Sequence, residues 1–308
     1  MHETAAFSPA GISSFFEIRD RRPDGRAFKD PVHAGAKGGG LVISRGVLTR
    51  VRLRPANRST ISVRINGRLA PEARTTVSAI SALLETYREK CAVTIDHRVE
   101  VPIGAGYGAS AAGTLSAALA FAEAADLGMS ANQIGAVVHA AEIANGTGLG
   151  TVGPLLTGGF VITRKSGGPG VAVVDRLPVS SKLKVISACL GPISTKAVLR
   201  SMRLRERVNK LGRLAFRSIM ADPKPRNFMN ASRNFAYALG LMTPQTAGLI
   251  DLMDNAGAIG ATQNMLGQAA HAIADEATAS HILRTVKRRF AKARAFSCDL
   301  DFEGARIL

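Results

Sequence analysis

The sequence has no tryptophan, and aromatic residues make up only 5% of its 308 positions. So few rings leave little to stack on nucleobases, which single-strand binders do with aromatics interleaved among cations. There are three cysteines, Cys91, Cys189 and Cys298, odd in number and far apart. They fit neither a disulfide framework nor a metal site, and suit reduced thiols in a cytoplasmic protein. No apolar run reaches the roughly 18 residues that cross a bilayer, so no membrane partner is expected. The opening MHETAAFSPAG lacks the basic start and apolar stretch of a secretory signal. Acid is also scarce, with 23 Asp and Glu against 40 Lys and Arg, a formal net charge of +17. A hydrophobic content of 46% nonetheless excludes a disordered chain.

The positive charge raises a nucleic-acid reading, so its distribution matters. From Arg19 to Arg74 there are 14 basic and 4 acidic residues, and from Arg200 to Arg233 there are 10 and 2. From Arg284 to Arg294 there are 6 basic residues and no acid. Between Val99 and Thr163 there is no Lys or Arg at all. The charge therefore flanks a neutral, glycine-rich centre. The basic stretches carry few aromatics, which favours solvated faces or small-anion sites over a nucleic-acid surface.

VLTRVRLRP and STISVRING read as two antiparallel strands, the second turning at Asn66-Gly67. Thr75 to Lys90 has apolar residues at helical spacing, with Thr75 or Thr76 as the expected cap. Ala92 to Val101 is a strand. Ser130 and Gln133 form a capping-box pattern opening a helix, and GGFVITRK and VAVVDRL read as further strands. A polar stretch near Pro178 to Ser181 marks the expected boundary between residues 1–178 and 179–308. LKVISACL then reads as a buried strand, followed by helices to about Met220 and from Asn227 to Leu241. Thr243 caps another at Pro244. GAIGATQNMLGQ reads as a loop leading to a helix around Ala269, then a helix from Ala274 to Lys292 and a closing strand. Strands cluster as meanders, so the fold class is α+β in two halves rather than a doubly wound sheet.

The most informative segment runs Pro102-Ile103-Gly104-Ala105-Gly106-Tyr107-Gly108-Ala109-Ser110-Ala111-Ala112-Gly113, after a strand and into a helix. Glycine at 104, 106 and 108 permits positive φ and close approach to a ligand. The free N–H groups of the first turn, from Ala109 to Ala112, then meet an anion with the helix dipole behind them. Ser110 offers a hydroxyl to a phosphate oxygen or a Mg²⁺ shell. There is no Gly-Lys-Ser/Thr for a P-loop, and Asp126 falls in a helix end rather than at the strand end a dinucleotide loop requires. A tight strand-to-helix turn that merely packs is the competing reading.

This segment resembles the second motif of the GHMP small-molecule kinases, P-x-x-x-G-[LY]-G-x-S-[AS]-A, matched by Pro102, Gly106, Tyr107, Gly108, Ser110, Ala111 and Ala112. Ala6 to Phe16 resembles the first motif and Gly257 to Gly267 the third. The first motif and Gly191 to Lys196 are similar to the archaeal pantoate kinase branch. The resemblance implies a two-domain fold, with an N-terminal half like ribosomal protein S5 domain 2 and a ferredoxin-like C-terminal half. It implies ATP and Mg²⁺ as cofactors and a small hydroxy acid, pantoate, as acceptor, phosphorylated on the way to coenzyme A. Pro102 and Gly104 to Ala112 would cradle the nucleotide phosphates. Ser110 and Glu142 would hold the metal, the latter at the family's metal position, with a surface glutamate as the alternative.

Many members carry an aspartate where this chain has Thr151, and no carboxylate lies between Glu142 and Asp175. Thr151 is taken as a catalytic-site hydroxyl that binds substrate or metal-bound water, with a loop hydroxyl capping backbone as the alternative, and no residue is assigned as the base. Ser13, Arg19, Lys196, Gly260 and Thr262 are the expected substrate contacts. Arg19, His33, Lys37 and Lys196 compete to bind the acceptor carboxylate. A GHMP kinase for another small alcohol, and a basic nucleic-acid-binding protein on the same fold, stand as alternatives. A homodimer is left open.

Overall fold

Two long strands organise the chain in the computed structural model, which describes residues 2–191 and 201–308. β1 (His2–Arg19) and β2 (Gly35–Pro55) run antiparallel from His2 opposite Leu53 to Arg19 opposite Gly35. β1 carries the stretch matched to the first motif, whose strand character the motif had hidden. β3 (Thr60–Ile65) and β4 (Arg68–Leu69) form the hairpin at Asn66-Gly67, with φ of 50° and 82° there. β3 does not pair with β2 as expected. β5 (Cys91–Val99) lies between them, antiparallel to β2 and parallel to β3. The chain reaches β5 from β3 through α1 (Arg74–Tyr87), the crossover that a parallel pair requires.

β6 (Phe160–Lys165) joins the far end of β2 and pairs with β7 (Val173–Arg176). The last strand, β12 (Arg306–Ile307), returns to β1. α1 begins at Ala73 without a side-chain cap, because Thr75 and Thr76 are buried instead and bond Thr147 and Thr114. α2 (Ala109–Ala124) is buried continuously from Ala111 to Ala122. Its small side chains let α1, α3 (Ala131–Asn145) and the sheet approach closely. The Ser130–Gln133 capping box is present at α3, and α4 (Val152–Thr157) follows.

The second sheet has the order β11-β8-β10-β9, all antiparallel: β8 (Lys184–Gly191), β9 (Gly260–Gln263), β10 (Gln268–Ala274) and β11 (Arg294–Asp299). The expected helix at Ala269 is strand β10. Ala269 to Ala274 is buried on both faces, so the segment shows no alternation, and its alanines mimic a helix former. α5 (Met202–Ala221) and α6 (Pro225–Leu239) join this sheet to the first through a core containing Phe15, Phe160, Phe228 and Phe235. α7 (Pro244–Asn255), capped by Thr243, and α8 (Glu276–Arg289) cover the other face. The architecture is α+β.

Candidate active site

The glycine loop leaves β5 and enters α2 with Gly104, Gly106 and Gly108 at φ of 74°, 82° and 60°. Gly108 is the N-cap and offers no side chain to the helix. The first intrahelical bond runs from the Ala112 N–H to the Gly108 carbonyl, so the N–H groups of Ala109, Ser110 and Ala111 lie ahead of it. Ser110 is exposed, whereas Pro102, Ala105, Ala111 and Ala112 are buried. Only the backbone at those four positions could face a ligand.

Tyr107 turns inward. Its hydroxyl meets Ser187 Oγ at 2.8 Å and its ring packs on Phe296, while its carbonyl accepts the Gly11 N–H at 3.1 Å. It anchors the loop to the second sheet and to β1. A Cβ on Gly108 would stand 2.9 Å from Thr151 Cγ2 and 3.2 Å from the Gly11 carbonyl oxygen. A Cβ on Gly267 would stand 2.3 Å from the Ala105 carbonyl oxygen. The first motif, the loop, Thr151 and the third motif therefore meet at one place.

Glu142 is 1% exposed on α3. Its Oε1 accepts from Thr147 Oγ1 at 3.1 Å, and its Oε2 has no protein partner. Thr147 also meets Thr75 Oγ1 at 3.1 Å. Burial pushes the Glu142 carboxyl up to about 7, against the opposing pull of the Thr147 hydrogen bond and the nearby Ser110 hydroxyl. Ser110, at the head of α2, is thus brought to the carboxylate on α3. A Cβ on Gly148 would stand 2.2 Å from Glu142 Oε2, so only glycine leaves that oxygen its space. His139, one turn earlier, is occupied elsewhere, its Nε2 on the Ala34 carbonyl at 2.8 Å.

Beside this group lies a cavity of about 180 Å³. Gly11, Ser13, Thr147, Thr151, Met265 and Leu266 line it, with Lys37 on β2. The Met265 N–H donates to the Ser13 carbonyl at 2.8 Å and closes the third motif over the first. Ser13, Thr147 and Thr151 supply hydroxyls, and Lys37 is the only charged side chain among the described lining residues.

The other expected contacts fall outside. Arg19 is half-exposed and pairs with Glu17 at 2.7 Å. Gly260 and Thr262 are buried within β9, where a Gly260 Cβ would stand 2.5 Å from Met229 Cβ. His33 is exposed and does not line the cavity. Lys196 lies outside the described residues. Sequence reasoning missed Thr147, whose only signal was a hydroxyl five residues after the glutamate. It also missed a buried chain from Ser14 Oγ to His271 Nε2 at 3.0 Å and from His271 Nδ1 to Asn264 Oδ1 at 2.9 Å.

The family of GHMP kinase N-terminal domains matches residues 74–159, the span from α1 through the loop, Glu142 and α4. Over that span the chain carries a GHMP kinase N-terminal domain. The chain is 29% identical over 271 residues to a pantoate kinase of Thermococcus kodakarensis, covering 87% of this chain and 86% of that one. It is 26% identical over 285 residues to a pantoate kinase of Methanocaldococcus jannaschii, covering 91% and 96%. A solved structure described as a phosphotransferase related to the CoA biosynthesis pathway superposes with a TM-score of 0.88 at 25% identity, covering 99% of this chain and 98% of that one. Among the described residues no helix is long and apolar enough to cross a membrane.

Proposed function

We propose that this GHMP kinase transfers the terminal phosphoryl group of ATP to the hydroxyl of pantoate, giving 4-phosphopantoate for coenzyme A synthesis. Similarity to pantoate kinases along most of the chain supports the choice of acceptor. The observation that carries the chemistry is the unpartnered oxygen of Glu142 beside Ser110, at the head of an uncapped helix and next to a small cavity.

Phosphoryl transfer rests on positioning and charge neutralisation more than on covalent steps. The N–H groups of Ala109, Ser110 and Ala111 point the positive end of α2 at the phosphates. Among the described residues no cluster of three His, Cys, Asp or Glu side chains gathers as a metal cage. Mg²⁺ does not need one, since it keeps several waters and takes one or two protein oxygens plus phosphates. Glu142 Oε2 and Ser110 Oγ fit that donor set, and a buried carboxylate oxygen without a partner is costly otherwise. Bound there, the ion would neutralise developing phosphate charge.

The acceptor hydroxyl is placed at the Thr147–Thr151 end of the cavity. Thr151 accepts or donates a hydrogen bond to orient it, and a threonine hydroxyl is too weak a base to remove its proton. A loose, metaphosphate-like transition state asks little of a base, so orientation suffices. The test is purified protein with MgATP and a panel of pantoate, mevalonate, homoserine and shikimate. Pantoate should turn over with the highest kcat/KM. Turnover of another acceptor with none of pantoate would overturn the assignment.

A further inference from the structure

The cavity holds one cation, and its surroundings are unusual. Lys37 Nζ sits 4.3 Å from the centroid of the Phe216 ring, which α5 brings across from the second half of the chain. The residue opposite Lys37 in the β1–β2 register is Glu17, 3% exposed, whose side chain shares the Lys37 face. That carboxylate would be the natural partner, but it is already taken. Arg213 reaches Glu17 Oε1 at 3.0 Å from α5, and Arg19 reaches the same oxygen at 2.7 Å. No ion pair joins Lys37 to any described residue.

An aromatic face holds an ammonium by its quadrupole without cancelling the charge, as a carboxylate would. The Glu17–Arg213 contact and Asn209 Oδ1, which accepts the Ile18 N–H at 2.7 Å, fix α5 against β1. Phe216 is thereby fixed against the Lys37 ammonium. The arrangement keeps a positioned, un-neutralised cation on the wall of a small pocket whose other polar groups are neutral.

We infer that Lys37, held by Phe216, binds the carboxylate of the acceptor and makes this kinase select anionic hydroxy acids over neutral alcohols. The inference rests on the proposed acceptor class and resolves which of the candidate cations meets it. The acceptor then spans the cavity, carboxylate at Lys37 and hydroxyl toward Thr147 and Thr151. Phe216 is a positioning residue that acts through Lys37.

The experiment measures KM and kcat for pantoate and for its neutral carboxamide, with saturating MgATP, in wild type, Lys37→Met, Phe216→Leu and the double variant. Lys37→Met should raise KM for pantoate by roughly 10- to 100-fold, the range of a hydrogen bond to a charged group. Its preference for acid over amide should collapse by the same factor, while KM for MgATP stays within about twofold. Phe216→Leu should raise the pantoate KM by a few-fold alone and add nothing in the Lys37→Met background, which a merely structural role would not do. An unchanged acid-over-amide preference in Lys37→Met would overturn the inference, as would additive effects in the double variant. If wild type ignores pantoate but uses another anionic acceptor, the acceptor assignment fails and the same series on that acid decides Lys37. If wild type uses only neutral alcohols, both fail.

Discussion

Glu142 and His271 are both fully buried and both close to the glycine loop, yet they are built in opposite ways. Glu142 reaches the loop through Ser110, and His271 through Asn264, whose Cβ would stand 3.0 Å from one on Gly106. Both ring nitrogens of His271 are bonded, to Ser14 and Asn264, and burial pushes its pKa down to about 3. It is a neutral strut between β1 and the second sheet at any working pH. Glu142 has one oxygen bonded and one without a protein partner, with its carboxyl pushed up to about 7. Buried polar groups are normally satisfied, so the unmet oxygen of an ionisable carboxyl marks a place kept for a ligand, whereas an imidazole with both nitrogens bonded marks joinery, even though the Nδ2 of its partner Asn264 is itself unpaired.

The sharpest way to break this contrast is Glu142→Gln, which keeps shape and removes charge. If the carboxylate holds a metal, kcat/KM should fall by about 10²- to 10³-fold, the loss typical of one electrostatic group at a phosphoryl or acyl centre. The ligand-free protein should behave in the opposite sense. A carboxyl whose folded pKa, about 7, exceeds its unfolded value, about 4.5, stabilises most below 4.5 and loses that contribution as pH rises through 7. Above pH 7 the buried charge costs on the order of 3 kcal/mol. Thermal melts should therefore show Glu142→Gln more stable than wild type at pH 8 and equal to it at pH 4. A variant less stable at pH 8 would mean that Glu142 is structural, like His271.

His271→Leu probes the other side. It leaves Ser14 Oγ and Asn264 Oδ1 without their partner, and should lower the unfolding free energy by about 2–3 kcal/mol in denaturant titrations. Its kcat/KM should stay within a few-fold at temperatures where it is folded. A histidine with a depressed folded pKa contributes stability that is present above about 6.5 and is lost as pH falls toward its folded value of about 3. The variant should accordingly lose less stability than wild type over that window. His97, pushed down to about 4 by burial, supplies part of the slope that remains.

The two clusters also differ in how far the sequence reveals them. The glycine loop is legible because a strand, three glycines and a small-residue helix in that order carry a physical reason at each position. Glu142 is legible only through the family motif, since a lone acid among alanines reads equally as a surface residue. The His271 chain is invisible, because Ser14 and His271 lie 257 residues apart and QAAHAIA lacks the alternation that would expose β10 as a strand. Position 37 illustrates the same limit. Lysine at that position is one cation among 14 basic residues in its stretch, and only the folded neighbourhood of Glu17, Arg213 and Phe216 sets it apart. Local chemistry survives in sequence, while long-range pairing does not.

The smallest effect tests whether the unmet oxygen and the met one of Glu142 are separable. Thr147 Oγ1 donates to Oε1 at 3.1 Å and opposes the burial that raises the carboxyl. Thr147→Val removes that bond and keeps the side-chain shape. The Glu142 pKa should then rise above its present value of about 7, by an amount worth about 1 kcal/mol, the usual net value of one hydrogen bond. Because a metal ion needs the carboxylate deprotonated, Mg²⁺-dependent ATP binding should strengthen with pH through about 7 in wild type, and through a higher midpoint in the variant. Calorimetric titrations of MgATP across pH 6 to 9 read that midpoint directly. Binding that is flat with pH in both proteins would remove Glu142 from the metal site, whereas a shifted midpoint with the same plateau would show Thr147 tuning the carboxylate without occupying its ligand position.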